Sequence, residues 1–243
     1  MNDRNYPLLT KLFLDLEVEL HPTSMSFGVE TDYLKWCSND FLKLKFLRSL
    51  KKIRLFFEMI RFNSLASDVK SNSSIEDWLR ENNFSDFFRE NYIFPMSASI
   101  WSSSQESINK FPMRSLSSFF KNHGLLDLIK RPQWFSVLGG SNTYIDKIIK
   151  KSQIKNLFLN AQVSINREEE KVLVQNNDIT NQYDAIIFAC HANQIEEVLT
   201  DISSKEEEAL SMFEYTNNNV LLHTDSTLMP EEKSLWSSWN SFK

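Results

Sequence analysis

Two stretches decide how this chain folds: Trp134-Phe-Ser-Val-Leu-Gly-Gly-Ser-Asn-Thr-Tyr144 and Tyr183-Asp-Ala-Ile-Ile-Phe-Ala-Cys-His191. In the first, Trp134 to Leu138 is strand-like, Gly139-Gly140 breaks the strand, and Asn142 to Lys151 has helical spacing. In the second, Ala185 to Ala189 is a continuous apolar run bounded by polar residues, the pattern of a buried parallel strand. Between them, Leu157 to Asn166 and Lys171 to Gln175 read as two strands around the charged turn Arg167-Glu-Glu-Glu170. Asn193 to Leu199 and Lys205 to Phe213 read as helices, and Val220 to Thr224 as a last strand. Residues 133–204 are therefore expected to form a small α/β unit, with Ala185–Ala189 buried beside a strand near Leu157–Ile165.

Upstream the chain is helix-rich. Tyr6 to Leu16 is helical with Pro7 in its first turn, and Ser24 to Glu30 and Leu34 to Ser38 are short strands. Asp40 to Asn63 reads as a long amphipathic helix, basic on one side through Lys43, Lys45, Arg48, Lys51, Lys52, Arg54 and Arg61. Ser64 to Ser74 reads as a polar loop, and Ser74 is placed to cap a helix carrying Asp77 in its first turn. Phe84 to Ser99 reads as a helix pair or one helix broken at Pro95, and Arg114 to His123 as an amphipathic helix closed by Gly124. The fold class is α/β with α+β character. Residues 1–132 form a helix-rich region with short strands, 133–204 the α/β unit, and 205–243 return to pack with the first region.

Composition narrows the function classes. The 243 residues are 42% hydrophobic and 24% charged, values of a globular chain, and a net charge of −5 argues against a nucleic-acid surface. Two cysteines, Cys37 and Cys190, make neither a disulfide framework nor a zinc site, which points to a reducing, cytoplasmic setting. The four histidines are too dispersed to argue for a metal. No apolar run approaches the length needed to cross a bilayer. The four glycines, Gly28, Gly124, Gly139 and Gly140, cannot make a G-x-G-x-x-G turn, so the usual backbone cradle for a dinucleotide pyrophosphate is absent from the sequence.

Several blocks in order carry a resemblance. They are Asn5-Tyr-Pro-Leu-Leu, Ser24-Met-Ser-Phe-Gly28, Phe94-Pro-Met96 with Ile100-Trp-Ser102, Phe119-Phe-Lys-Asn-His-Gly-Leu125, Gly139-Gly-Ser141 and His223-Thr-Asp225. Together they make the chain resemble bacterial FAD-dependent amine oxidase-like proteins, the predicted NAD/FAD-binding oxidoreductases. The resemblance implies an FAD-binding α/β unit beside a helix-rich substrate-type domain with a mixed sheet. It also implies oxidation of a small-molecule or lipid-like substrate by hydride transfer to the flavin, with no acid–base triad required. Such proteins begin with a glycine-rich βαβ unit and continue beyond the position of Trp239-Asn240. The sequence accordingly reads as a central fragment, expected to hold FAD weakly or not at all. The competing reading is a helix-rich interaction module that does not bind FAD.

The resemblance also selects residues. Val163 would present its backbone to the adenine, or is an ordinary strand residue. Ala189, Cys190 and His191 end the apolar strand, at the kind of carboxyl-end corner where α/β sheets gather ligands. Gly139, Gly140 and Ser141 would form a flavin wall, or a plain positive-φ turn. Trp101, Trp236 and Trp239, with His223 and Asp225 two apart on a strand and so on one face, would line a substrate cavity or pack as core. His123 reads as a cap at a helix C-terminus.

Overall fold

The computed structural model describes residues 1–41, 48–127, 131–152, 154, 156–215 and 217–242. Lys43 and Lys45 of the expected basic helix lie outside them. The chain divides into two compact units, Met1–Ser152 with Val220–Lys243, and Gln153–Asn219. Helices and small sheets of mixed direction make it an α/β protein.

The first unit is organised by aromatic rings. Helix α1 spans Pro7–Asp15, with Pro7 in its first turn. Helix α2, Leu50–Leu65, buries Leu55, Met59 and Phe62, a helical stripe at spacings of four and three. Helix α3, Ile75–Glu81, starts where Ser74 accepts a hydrogen bond from the Asp77 amide at 3.1 Å, as the sequence indicates. Helix α4, Asp86–Phe88, runs through a π-helical turn at Arg89–Ile93 into α5, Phe94–Trp101. Pro95 therefore does not break the helix. It follows the π turn, whose hydrogen bonds reach back five residues, Phe94 N–H to the Arg89 carbonyl, and this shifted pattern accommodates a residue with no N–H to give. Helices α6, Gln105–Lys110, and α7, Met113–Asn122, complete this face.

Phe84, just ahead of α4, and Phe88 and Tyr92 on the helix are four apart and form the middle of a ring ladder. Trp36 stacks on Tyr92 at 5.4 Å, Tyr92 on Phe88 at 5.2 Å, Phe88 on Phe84 at 5.1 Å, and Phe84 on Trp78 at 5.9 Å. Phe62 meets Trp78, Phe84, Phe88 and Phe120 at 5.7–6.3 Å. Much of the chain's phenylalanine is core, packed in offset and edge geometries. Burial pushes the Tyr92 hydroxyl up to about 12. Asn91, in the π turn, is buried with its groups satisfied: its amide donates to the Phe87 carbonyl at 2.9 Å, and its side-chain oxygen accepts from Thr31 at 2.7 Å. Its own carbonyl accepts from the Trp36 indole at 2.8 Å, tying the strand to the turn.

Two small sheets flank these helices. Strand β1, Leu20–Thr23, pairs antiparallel with β4, Trp134–Val137. Strand β2, Phe27–Glu30, lies between β3, Lys35–Cys37, antiparallel to it, and β8, Trp239–Phe242, parallel to it. Helix α8, Asn142–Lys151, follows β4 through the Gly139-Gly140 turn, and both belong to the first unit. Lys147 and Lys151 donate to the Glu17 and Asp15 carbonyls at the end of α1, placing cations at a helix C-terminus.

The expected strand at Val220–Thr224 is not one. The segment has no regular secondary structure and is exposed, with Leu222 98% accessible, and the returning strand is β8 instead. Three consecutive apolar residues supply β-propensity, but they have no neighbouring strand among the described residues.

The second unit is a meander. Strands β5, Val163–Arg167, β6, Val172–Asn176, and β7, Ile179–Tyr183, pair antiparallel in sequence order. Helices α9, Ala192–Val198, and α10, Ser204–Ser211, complete it. Residues 157–162 lie outside β5. Ala185–Ala189, expected as a buried strand, is neither strand nor buried: Ile187 is 90% exposed. Alternate residues Ile186 and Phe188 pack on a core of Ile165, Val172 and Leu199, so the segment is partly covered. No backbone hydrogen bond joins 185–189 to another described residue, which is why the apolar run stays an unpaired edge.

An ion-pair cluster closes this unit. Arg167 donates from Nε to Asp201 at 2.8 Å and through its fork to Glu206, while Ser203 and Glu206 form a capping box on α10. The hydrogen bond from Arg167, then those from Ser203, hold Glu206 well below the usual carboxylate range. Partial desolvation pushes Asp201 up, but the hydrogen bonds from Arg167 outweigh it and leave it lowered. Depressed carboxylates stabilise the fold above their unfolded values, roughly 4, and that stabilisation is lost as pH falls through the lower folded values. The β5–α10 junction should therefore open in acid below about pH 4. Arg167→Ala should flatten this dependence, read from unit-specific NMR amide signals during urea unfolding at a series of pH values.

Candidate functional site

The candidate site is a cleft of about 270 Å³ in the first unit, lined by Thr23–Met25, Asn39, His123–Leu125 and Arg131–Trp134. Three stretches singled out in the sequence meet there: Ser24-Met25, His123-Gly-Leu125 and Trp134. Their meeting follows from the fold. The β1–β4 pairing sets Thr23 opposite Trp134, and α7 ends at His123.

His123 is the best-defined group in the cleft. Its ring stacks on Phe119 at 4.0 Å and faces Trp134 at 6.0 Å, 15° from parallel. Nδ1 lies 3.0 Å from the Phe119 carbonyl, and a carbonyl only accepts, so Nδ1 carries the proton. In the neutral ring Nε2 is then the acceptor, 3.4 Å from the Tyr6 hydroxyl. The sequence identified His123 as a helix cap, which it is; nothing in the spacing indicated that Trp134 and Ser24 would come to it.

Gly124 turns the chain with φ +65°, and a Cβ there would lie 2.7 Å from Cδ of Pro132. Gly124→Ala should accordingly destabilise the first unit by about 1–3 kcal/mol, measured as a lowered urea midpoint. On the rim, Gln133 donates to the Thr23 carbonyl at 2.9 Å and Arg131 donates to the Asp127 carbonyl at 3.0 Å. The cleft thus offers an aromatic wall, an imidazole acceptor, a guanidinium and hydroxyls: a surface for a flat or apolar molecule with a polar end.

The expected pocket residues are dispersed rather than gathered in this cleft. Trp101 packs on Phe119 at 4.8 Å, one ring behind His123, and Trp239 stacks on Phe27 at 4.9 Å. Trp236 donates its indole N–H to the Pro230 carbonyl at 2.8 Å and is partly exposed. His223 and Asp225 share no strand face, because their segment is not a strand. The Asp225 carboxylate accepts from the Thr227 hydroxyl at 2.7 Å and amide at 2.9 Å, which holds its pKa below the usual range. In the second unit, Val163 begins β5 half-buried and packs on the same small core as Phe188. Ala189 and Cys190 are exposed, and His191 caps α9 while stacking on Tyr215 at 4.8 Å.

Gly139, Gly140 and Ser141, expected as a flavin wall or a plain turn, form the turn between β4 and α8. Gly139 and Gly140 have φ +80° and +85°, and a Cβ on Gly140 would meet nothing within 4 Å. Both positions have the positive φ that glycine adopts without strain. Ser141 gives no side-chain cap to α8, and the Thr143 amide is already spent on the Gly140 carbonyl at 3.3 Å. Among the described residues, no group of three or more histidine, cysteine or acidic side chains could hold a metal, and no helix is long and apolar enough to cross a membrane.

No protein-family model matches the chain, and no curated protein matches it. Solved structures do. The chain is similar to cyclohexylamine oxidase from Brevibacterium oxydans IH-35A, with 13% identity and a TM-score of 0.59, covering 84% of this chain and 49% of that one. It is similar to putative protoporphyrinogen oxidase from Exiguobacterium sp. 255-15, with 14% identity, a TM-score of 0.57, and coverage of 86% and 51%. It is also similar to putrescine oxidase solved with putrescine bound, with 14% identity, a TM-score of 0.56, and coverage of 84% and 49%. At these identities the likeness defines the fold, and the chain spans about half the length of the structures it matches.

Proposed function

We propose that the chain is the substrate-side part of an amine oxidase-like, FAD-dependent oxidoreductase, acting on a small organic or lipid-like molecule. The observation that supports this most is the fold shared with cyclohexylamine oxidase over 84% of the chain. The convergence of separately placed sequence blocks on the His123 cleft supports it further. In this reading the cleft receives substrate. Phe119 and Trp134 hold the His123 ring in plane, and the Phe119 carbonyl fixes the proton on Nδ1. Nε2 faces the Tyr6 hydroxyl across a long 3.4 Å contact, which a substrate N–H or O–H entering the cleft would displace. Trp101, behind Phe119, keeps the wall dry and rigid. Val163 and Ala189–His191 are the residues proposed to border the cofactor, whose phosphates must be gripped by a glycine-rich segment this sequence lacks.

The test is a fusion carrying a glycine-rich dinucleotide-binding βαβ segment ahead of Met1. The fusion should purify yellow, and anaerobic addition of primary amines should bleach it for at least one amine class. His123→Ala in that fusion should retain the colour and weaken the bleaching. A soluble, folded fusion that stays colourless in excess FAD counts against the reading.

A further inference from the structure

A second cavity, along the flank of α7, has a chemistry that the oxidoreductase reading does not use. It measures about 400 Å³ and is lined by Ser67–Lys70 from one side and by Arg114, Ser117, Ser118 and Lys121 from α7. Arg114, Ser118 and Lys121 are spaced by four and three, so they rise along one helical face. Lys70 faces them from the chain that follows the short 3₁₀ helix Ala66–Asp68. The two walls are fixed to one another. Buried Ser117 donates its hydroxyl to the Ala66 carbonyl across the floor, and Met113, Leu116 and Phe120 anchor α7 in the core.

Three cations therefore border one cavity, and two of them have no partner among the described residues. Arg114 and Lys121 make no side-chain hydrogen bond or ion pair with another described residue, and neither does the Ser118 hydroxyl. The one acid in the cavity, Asp68, is 3.8 Å from Lys70, and both are strongly exposed, so that pair is weak. The chain as a whole carries −5, so three cations against one carboxylate stand out locally. A guanidinium, two ammonium groups and hydroxyl donors around a space of this size match a multiply charged tetrahedral oxyanion.

We propose that this cavity binds the phosphate groups of a small phosphorylated molecule, with Arg114 and Lys121 as the main ligands, Lys70 as a third, and Ser118 as a neutral donor. Asp68 lies where it competes for the same cations, and so sets the affinity and selects against weakly charged anions.

The test is isothermal titration of the full chain with inorganic phosphate and with pyrophosphate, at low salt and against chloride of matched ionic strength. Pyrophosphate should bind more tightly than phosphate, and both should exceed chloride. Arg114→Gln with Lys121→Gln should weaken pyrophosphate by roughly ten- to hundredfold for each charge-assisted hydrogen bond removed. Asp68→Asn should tighten it, a change that a merely structural role for these residues would not produce. Lys150→Gln, in a different cleft beside α1, should leave binding unchanged. Binding no stronger than chloride, or equal pyrophosphate affinity in the Arg114/Lys121 double variant, would overturn the proposal. Because all four side chains are exposed, the variants should fold, and their circular dichroism should match that of the parent chain.

Discussion

Phe62→Ala should lower the stability of the first unit by about 3–5 kcal/mol, the range for removing a fully buried phenylalanine. Phe62 has no accessible surface, and four aromatic rings, from α3, the following turn, α4 and α7, lie around it. The ring's removal takes away its burial energy and leaves a cavity that these neighbours cannot close without breaking the Trp78–Phe84–Phe88 ladder. The loss is a large share of the stability of an ordinary domain, which is roughly 5–15 kcal/mol. Hydrogen exchange should show the damage directly, as reduced protection in α2, α3 and α7. Phe62→Leu, which keeps most of the volume, should cost much less. A Phe62→Ala chain with an unchanged urea midpoint would mean that the ladder is not the organising core.

The elements legible in the sequence are those fixed by local chemistry. Ser74 with Asp77 announced α3, Gly124 announced the end of α7, and Gly139-Gly140 announced the break between β4 and α8, because each depends on one residue's own donors or backbone freedom. What could not be read depends on partners far away in the chain. Trp239-Asn-Ser-Phe242 does not alternate, and it becomes β8 only because β2 lies beside it. Ala185–Ala189 and Val220–Thr224 show the converse: their apolar runs have the composition of buried strands, but no strand adjoins them among the described residues. β7 did leave a signal. Asn176-Asn177-Asp178 is a turn sequence, and Asn177 takes φ +52°, so the hairpin was written in the turn rather than in the polar strand after it. The cleft was half-legible. Its blocks were visible one at a time, but their convergence on His123 needed the β1–β4 pairing, which joins residues more than a hundred positions apart.

The purified chain should be colourless, and it should bind FAD about two to four orders of magnitude more weakly than a chain carrying the glycine-rich turn. Hydrogen bonds to the phosphates set this difference. A pyrophosphate at a helix N-terminus receives charge-assisted N–H bonds worth roughly 1.5–3 kcal/mol each, and the absence of two of them gives that factor at tenfold per 1.4 kcal/mol. Nothing among the proposed cofactor residues replaces them: the Gly139–Ser141 turn is open, and Ala189 and Cys190 present an exposed edge with no cationic side chain of their own. Gel filtration after incubation with FAD, followed by a visible spectrum, reads the outcome. Stoichiometric yellow protein would refute it. The Arg114–Lys121 cavity adds a control, since it could retain FAD through its pyrophosphate alone. Any weak binding that Arg114→Gln with Lys121→Gln abolishes belongs to that cavity. Binding that survives the double variant but falls when Val163 or Ala189 is replaced by a bulky residue belongs to the proposed flavin edge.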